Sequence, residues 1–471
     1  MGVADVDLTS AGGSQNLTGF NEVLKEFYLG PVREQLNSDT ILMQRLQRDT
    51  ESVSGRQIRI PVHVARNEGI GAVAEGGLLP DPGAQAYKEL TFKVKYHYGR
   101  ILLTGPVIFA SADDKGSFIR ALDSEVKGLV DDLKHDVNRQ MFSDGSGIIA
   151  TVDGGSSGSA ATTEIFHNYG DFHGEGENLK HIRPGQLYAS IDVSSGELDD
   201  HDLEVSSVDV ASKVVTFTNT ISGAGLDDGC NAIVRRTTGT GIAAAAWSAT
   251  NGAPHTSYVK ELMGLLGICH GSPVYSAGSA YAKTDFIPST AWTVLDPDTP
   301  GTLATYAGLQ NLTHDLWEPQ SVTAETGTST KVAGLPDLTE MQTLLDLMME
   351  FGQSKPSLIL TTYKQRQNYF DQLKTNKRYV NTLELDGGWT ALEFNGIPLV
   401  ADKDCIPGTM FMLDEDQLAL FQENDLSWMD RDGNMFHRLQ DKDAFQATMF
   451  KYYEMGCYRR NGQGFYYGLA E

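Results

Sequence analysis

Cysteine is scarce in this 471-residue chain: Cys230, Cys269, Cys405 and Cys457 stand far apart, and no two of them form a CxxC pair. That spacing speaks against a disulfide framework and a thiolate zinc site, and it points to single reduced thiols. No run of eighteen apolar residues occurs, so no spanning helix and no membrane partner are expected. The opening MGVADVDLTSAGGSQNLTGF lacks the basic and apolar blocks of a signal peptide. Val6 stands where N-myristoylation wants Ser or Thr, so a cytosolic product is expected. Positive charge is short as well, with 37 Lys and Arg against 62 Asp and Glu and a net charge of −25. The imbalance is spread along the chain: residues 191–230 hold nine acids and one lysine, and residues 401–443 hold eleven acids and four bases. Such a surface repels phosphate backbones, which argues against sequence-specific nucleic-acid binding. It also suits a protein that lies beside packed DNA without sticking to it.

Signatures of catalysis are missing too. There is no GxSxG elbow, HExxH helix or catalytic cysteine pattern, and nothing argues for an enzyme. The stretch DRDGNMF (430–436) places Gly433 fourth where a calcium loop needs glycine sixth, so it reads as a turn. TGTGIAAAAW (238–247) has neither GxGxxG nor GK[ST] and reads as a flexible connector. HNYGDFHGEGE (167–177) is the best metal candidate, through His167, Asp171, His173, Glu175 and Glu177. Its spacing matches no established signature, and a solvated glycine-rich loop is the leading reading. No cofactor is expected.

What is present is a succession of patterned segments. Residues 21–48 suggest one or two helical turns broken at Gly30-Pro31, an arm rather than a domain. RQIRIPVHV (56–64) alternates Ile58, Ile60, Val62 and Val64 with polar residues and Pro61, as a half-buried edge strand does. Residues 87–104 alternate again, with Leu90, Phe92, Val94 and Tyr96 on one side. Together these make a long ribbon whose tip is GAVAEGGLLPDPG (71–83), carrying Val73, Glu75, Leu78 and Leu79. An isolated ribbon is marginal in water, and the following chain offers no obvious cover. Its apolar face and tip are therefore expected to rest on a second copy of the chain.

Residues 112–143 carry apolar residues at three- and four-residue steps from Phe118 to Met141. A long helix is predicted, starting at a Ser111/Asp114 capping box and stopping near Gly145. Brief strands then follow at short spacing over 178–240, reading as a small inserted all-β unit. Helical periodicity returns at 256–270 and at 337–352, where Asp337 and Glu340 form a capping box. Next come the strand SLILTT, the helix YKQRQNYFDQLKT, strands near 392–400, 408–413 and 417–421, and an aromatic strand-like tail. The class is α+β, without βαβ alternation.

In that order the elements resemble the major capsid protein of tailed bacteriophages, the Hong Kong 97-like fold. VAEGGLLPDPG followed by YKELTFKVKYHYGRILLTGPVIFAS is similar to that family's extended loop, with its AEG turn, alternating strand and serine leading to the spine helix. RQMFSDGSGIIATV (139–152) resembles the end of the spine helix. KPSLILTTYKQRQNYFDQLKTNKRYV and LEFNGIPLVADKDCIPGTMFMLDEDQLALF resemble the C-terminal body. The resemblance implies an N-terminal arm (1–54), an extended β-ribbon loop (55–104) and a peripheral domain with the spine helix (105–177). It further implies an inserted β domain (178–240), a connecting region (241–335), an axial domain (336–440) and peripheral C-terminal strands (441–471).

The implied function is a shell of hexamers and pentamers enclosing a double-stranded DNA genome in the virion, assembled in the host cytoplasm. Portal and scaffold proteins and a possible cement or decoration protein are the implied partners, with DNA contacted non-specifically at most. Val73, Glu75, Leu78, Leu79, Leu90, Phe92, Val94 and Tyr96 are the expected inter-subunit contacts. Some family members crosslink a loop lysine; Lys88, Lys93 and Lys95 are present, but no partner residue is identifiable. The ribbon begins by about Arg56, so any scaffold is expected to be a separate protein. Two alternatives remain: an encapsulin-type compartment with the same fold, and an enzyme or carbohydrate-binding protein with an inserted β domain.

Overall fold

The computed structural model describes residues 41–50, 55, 57–105, 115–143, 145, 147–152, 163–168, 178–192, 198–209, 214–218, 231–235, 260–269, 305–306, 309–310, 317–324, 334–375, 382–385, 389–430, 437–439 and 442–470. The main elements of this part of the chain are two large sheets, a barrel, a ribbon and three long helices, with a two-residue strand pair at Thr305–Tyr306 and Leu309–Gln310 and short helical turns beside them. The strand Ala444–Cys457 is the axis of the first sheet, pairing antiparallel with Lys95–Thr104 along one edge and with Leu418–Gln422 along the other. Gln47–Asp49 adds in parallel to Leu418–Gln422, and a bidentate pair from Arg45 to Glu415 (2.5 and 2.7 Å) fastens the same segment.

The helix Lys115–Phe142 lies across this sheet. At ~1.5 Å per residue its 28 residues span about 42 Å. Leu133, Val137 and Met141 are buried while Lys127, Asp132 and Lys134 are exposed, which is the expected amphipathic stripe. Gly99 lets the helix approach: a Cβ there would stand 2.7 Å from Leu133 Cδ1. The chain leaves the helix through Gly145 at φ +82°, a conformation that glycine adopts without a Cβ penalty. The expected Ser111/Asp114 cap lies outside the described residues.

A seven-stranded mixed sheet forms the second body, in the order Gln320–Thr323, Gly464–Tyr467, Met410–Leu413, Leu358–Thr361, Ile397–Ala401, Trp389–Phe394, Thr382–Leu385. Its central strands are buried apolar runs, and the helices Leu338–Glu350 and Tyr363–Thr375 pack against it. Asp337 caps the first helix by accepting from Thr339 N at 3.0 Å. The anticipated partner in a capping box, Glu340, instead accepts from Tyr466 OH. The segment 392–400 is two strands rather than one: Asn395 (φ +49°) and Gly396 (φ +80°) make the tight Asn-Gly turn that closes a hairpin.

The β insertion is a closed six-stranded barrel around Ile149, Tyr188, Leu203, Val205, Val215, Phe217 and Ile233. It starts at Ile148 rather than 178, because Ile148–Val152 and Thr163–Asn168 supply two staves from the glycine- and serine-rich stretch. The glycine- and serine-rich composition around these staves masks their apolar pattern; barrel closure pairs them. In the expected helical stretch 256–270, the described helix is only Leu265–Cys269. The segments 236–250 and 431–436 lie outside the described residues. Cys269, Cys405 and Cys457 are buried and form no disulfide among the described residues; burial pushes the Cys457 thiol up to about 12. No helix among the described residues is long and apolar enough to cross a membrane.

Candidate assembly surface

The ribbon pairs Gln57–Ala65 with Ala86–Lys93, antiparallel, and nothing else among the described residues pairs with either strand. Its two ends have different surroundings. At the base, Ile58, Leu90, Phe92 and Val94 are buried in the main core beside Phe421 and Met455. The Phe92 and Phe421 rings lie 5.6 Å apart, and Gly456 makes room: a Cβ there would meet Phe421 Cε2 at 2.4 Å and Phe92 Cζ at 3.1 Å. This corrects the expectation that Leu90, Phe92 and Val94 await a second copy. Leu90 is 0% and Phe92 5% exposed, because the strands Leu418–Gln422 and Ala444–Cys457, distant in sequence, provide the cover.

The predicted second strand is also divided. Pairing with Gln57–Ala65 ends at Lys93, and from Lys95 the chain joins Ala444–Cys457. Before the crossing, residues 90, 92 and 94 are buried; after it, Gly99, Ile101 and Leu103 are. The inward parity flips at Val94, which turns Tyr96 outward. Tyr96 and Tyr98 are half exposed and edge-on to Tyr452 at 5.1 and 6.0 Å, and the hydroxyls of Tyr98 and Tyr452 bond at 3.2 Å.

The tip stands clear of the body. Leu78 is 94% and Leu79 81% exposed, and Ile70 and Val73 are exposed with them. Glu75 is exposed at the crest and makes no ion pair among the described residues. The loop nevertheless has a built shape. Gly77 N donates to Ala74 O at 2.9 Å around Gly76, whose φ is +76°. The neck is pinched where Gly69 and Gly83 meet: a Cβ on Gly83 would stand 2.2 Å from Asn67 Oδ1, which itself accepts from Gly69 N at 2.7 Å. A glycine-held loop presents its leucines without folding them inward.

The charged groups at the junction of helix, sheet and barrel are matched among themselves. Asp136 lies 3.2 Å from Arg139, 3.0 Å from Arg235 and 3.3 Å from His97, and Arg139 reaches Glu261 at 2.6 Å. Burial pushes the Asp136 carboxyl up, but Arg235, Arg139 and His97 outweigh it and hold it far below the usual range. Burial lowers the His97 imidazole despite Asp136. Two carboxylates against two guanidiniums hold these elements together. These residues are scattered from 97 to 261, so no motif could have flagged them. Of the metal candidates, His167 lies in the strand Thr163–Asn168, while Asp171, His173, Glu175 and Glu177 lie outside the described residues. Among the described residues, no three His, Cys, Asp or Glu side chains converge on a metal position.

No protein-family model matches the chain, and no curated protein sequence does. Among solved structures, it aligns with a chain of the cyanophage A-1(L) capsid asymmetric unit over 96% of its length and 98% of that chain, with TM-score 0.52 and 11% identity. A capsid chain of an empty GTA particle aligns over 97% and 98%, with TM-score 0.42 and 8% identity. The holo-SrpI encapsulin of Synechococcus elongatus aligns over 32% of this chain and 53% of its own, with TM-score 0.26 and 13% identity. Of these three, the cyanophage chain is close enough to establish the fold. Over nearly its whole length, this chain has the fold of a phage capsid protein.

Proposed function

We propose that this chain is a structural major capsid protein whose copies assemble into the icosahedral shell around the double-stranded DNA of a tailed phage. The observation that carries this is the end-to-end correspondence with the cyanophage capsid chain, which spans 96% of this chain and 98% of that one. The exposed tip supports it. A leucine pair held outward by glycines is costly for a lone molecule and useful only when something covers it. At about 25 cal/mol per Å² of apolar surface each contact is modest, but a closed shell repeats it at every subunit.

In this proposal the ribbon is the extended loop, Lys115–Phe142 the spine helix, the seven-stranded sheet the axial domain and the barrel a decoration of the peripheral domain. Val73, Glu75, Leu78, Leu79 and Tyr96 are the contacts to neighbouring copies in hexamers and pentamers. The acidic balance suits a wall facing packed DNA, contacted non-specifically. A portal, a separate scaffold and a cement protein are the partners such a shell would use. Negative-stain microscopy and light scattering of the purified chain test the proposal. Closed particles tens of nanometres across, or their capsomers, are expected; a persistently monomeric, compact species that cannot be driven to assemble would overturn it.

A further inference from the structure

At the foot of the ribbon, the strand Lys95–Thr104 presents two different faces. On one, His97 and Gly99 meet the helix Lys115–Phe142, at Asp136 and at Leu129 and Leu133. Successive side chains on a strand point to opposite faces, so Tyr96, Tyr98 and Arg100 stand on the face turned away from that helix. The register sets Tyr452 opposite Tyr96 and Phe450 opposite Tyr98. The rings of Tyr96, Tyr98 and Phe450 gather around Tyr452 at centroid distances of 5.1, 6.0 and 5.0 Å. Even so, Tyr96 is 52% and Tyr98 49% exposed. Arg100 is exposed beside them, donates to Gln446 Oε1 at 2.6 Å and makes no ion pair among the described residues. The chain therefore carries two uncovered apolar surfaces. One is a leucine tip with the acid Glu75, and the other is an aromatic face with the base Arg100.

A single copy cannot join the two. The ribbon strand Gln57–Ala65 has nine residues, which span about 30 Å and hold the tip that far from the tyrosines at its foot. Tip against tip is disfavoured, because two Glu75 carboxylates would meet across the contact. We infer that the tip of one copy seats on the tyrosine face of a second copy, with Leu78 and Leu79 on Tyr96, Tyr98 and Tyr452 and Glu75 beside Arg100. Aromatic rings give leucine a broad apolar surface, and the hydroxyl on each tyrosine keeps the uncovered face compatible with water. The opposite charges of Glu75 and Arg100 fix the orientation of the contact. Two unlike patches make a head-to-tail contact, which runs in one direction and ends only when a ring closes. The inference rests on the shell reading above and gives its contacts a direction: each copy offers one tip and receives one.

Cysteines placed on the two patches test the seat. Full chains carrying Leu79→Cys and full chains carrying Tyr98→Cys are co-expressed, oxidised with copper phenanthroline and run on a non-reducing denaturing gel. The mixture is expected to give a linked dimer that neither variant gives alone, and the double variant a ladder of linked chains. A dimer from Leu79→Cys alone sets tip against tip and overturns the inference. Closed particles without a linked dimer in the mixture also overturn it, and leave the capsid reading standing. A chain that assembles under no condition removes both. Charge reversal decides the matter should Tyr98→Cys fail to fold. Glu75→Arg and Arg100→Glu are each expected to lower the particle yield about tenfold, and together to restore it. Single variants that assemble normally, or a combined variant that assembles no better than either single one, overturn the seat.

Discussion

Phe92 and Leu79 belong to the same β-ribbon, yet one is 5% exposed and the other 81%. The base of the ribbon is an ordinary part of the core, sealed by Phe421 and by the absence of a side chain at Gly456. The tip is shaped by glycines and leaves its two leucines exposed. Alternation of apolar and polar residues describes both strands equally well, so it cannot say which stretch is covered from within. The ribbon is anchored at one end so that the other can be presented.

The largest expected effect belongs to the base. Phe92→Ala should destabilise folding by about 3–5 kcal/mol, the usual range for emptying a buried aromatic site. A denaturant midpoint on unassembled chain reads it, and a near-zero change would mean the base is loosely held. Gly456→Ala should cost about 1–3 kcal/mol, since the new methyl meets ring carbons with little freedom to yield.

Glu454 gives an intermediate, pH-dependent effect. Burial pushes its carboxyl up to about 7, although Met263 N and Met455 N both donate to it. A carboxyl whose folded pKa is raised binds a proton in the folded state that the unfolded chain has already released. Its contribution to stability therefore increases as pH falls from about 7 towards the ordinary value of 4.5, and the full penalty applies above about 7. Glu454→Gln should reduce the loss of stability between pH 6 and 8; equal losses in mutant and wild type would place the titrating group elsewhere. The smallest effect on folding belongs to the tip. Leu78→Asp with Leu79→Asp should change the midpoint by less than ~0.5 kcal/mol while abolishing closed particles in the microscope. Normal shells from this double mutant would remove the tip from the assembly surface.

Much of the fold could be read along the chain because local signals agreed with the outcome. The helix Tyr363–Thr375, the cap at Asp337 and the strand Leu358–Thr361 each follow from periodicity or from one turn residue. The Asn395-Gly396 hairpin was equally legible as a turn signal, although a continuous strand was expected there. The parity flip at Val94 was not legible, since a strand that changes sheets carries no local mark. The first two staves of the barrel sit in a glycine- and serine-rich stretch whose composition masks them, and only pairing within the barrel brings them out. The Asp136 cluster needed residues from several distant segments, and only packing brings those together.

By itself, the sequence determined what was to be buried and what could turn: apolar periodicity and glycine placement follow from local sterics and the hydrophobic effect, which act wherever the residues occur. Only the tertiary structure decided which apolar face already has cover and which still lacks it. Cover is a relation between distant segments, here Phe92 with Phe421 and Gly456, and no local pattern encodes the distance between them.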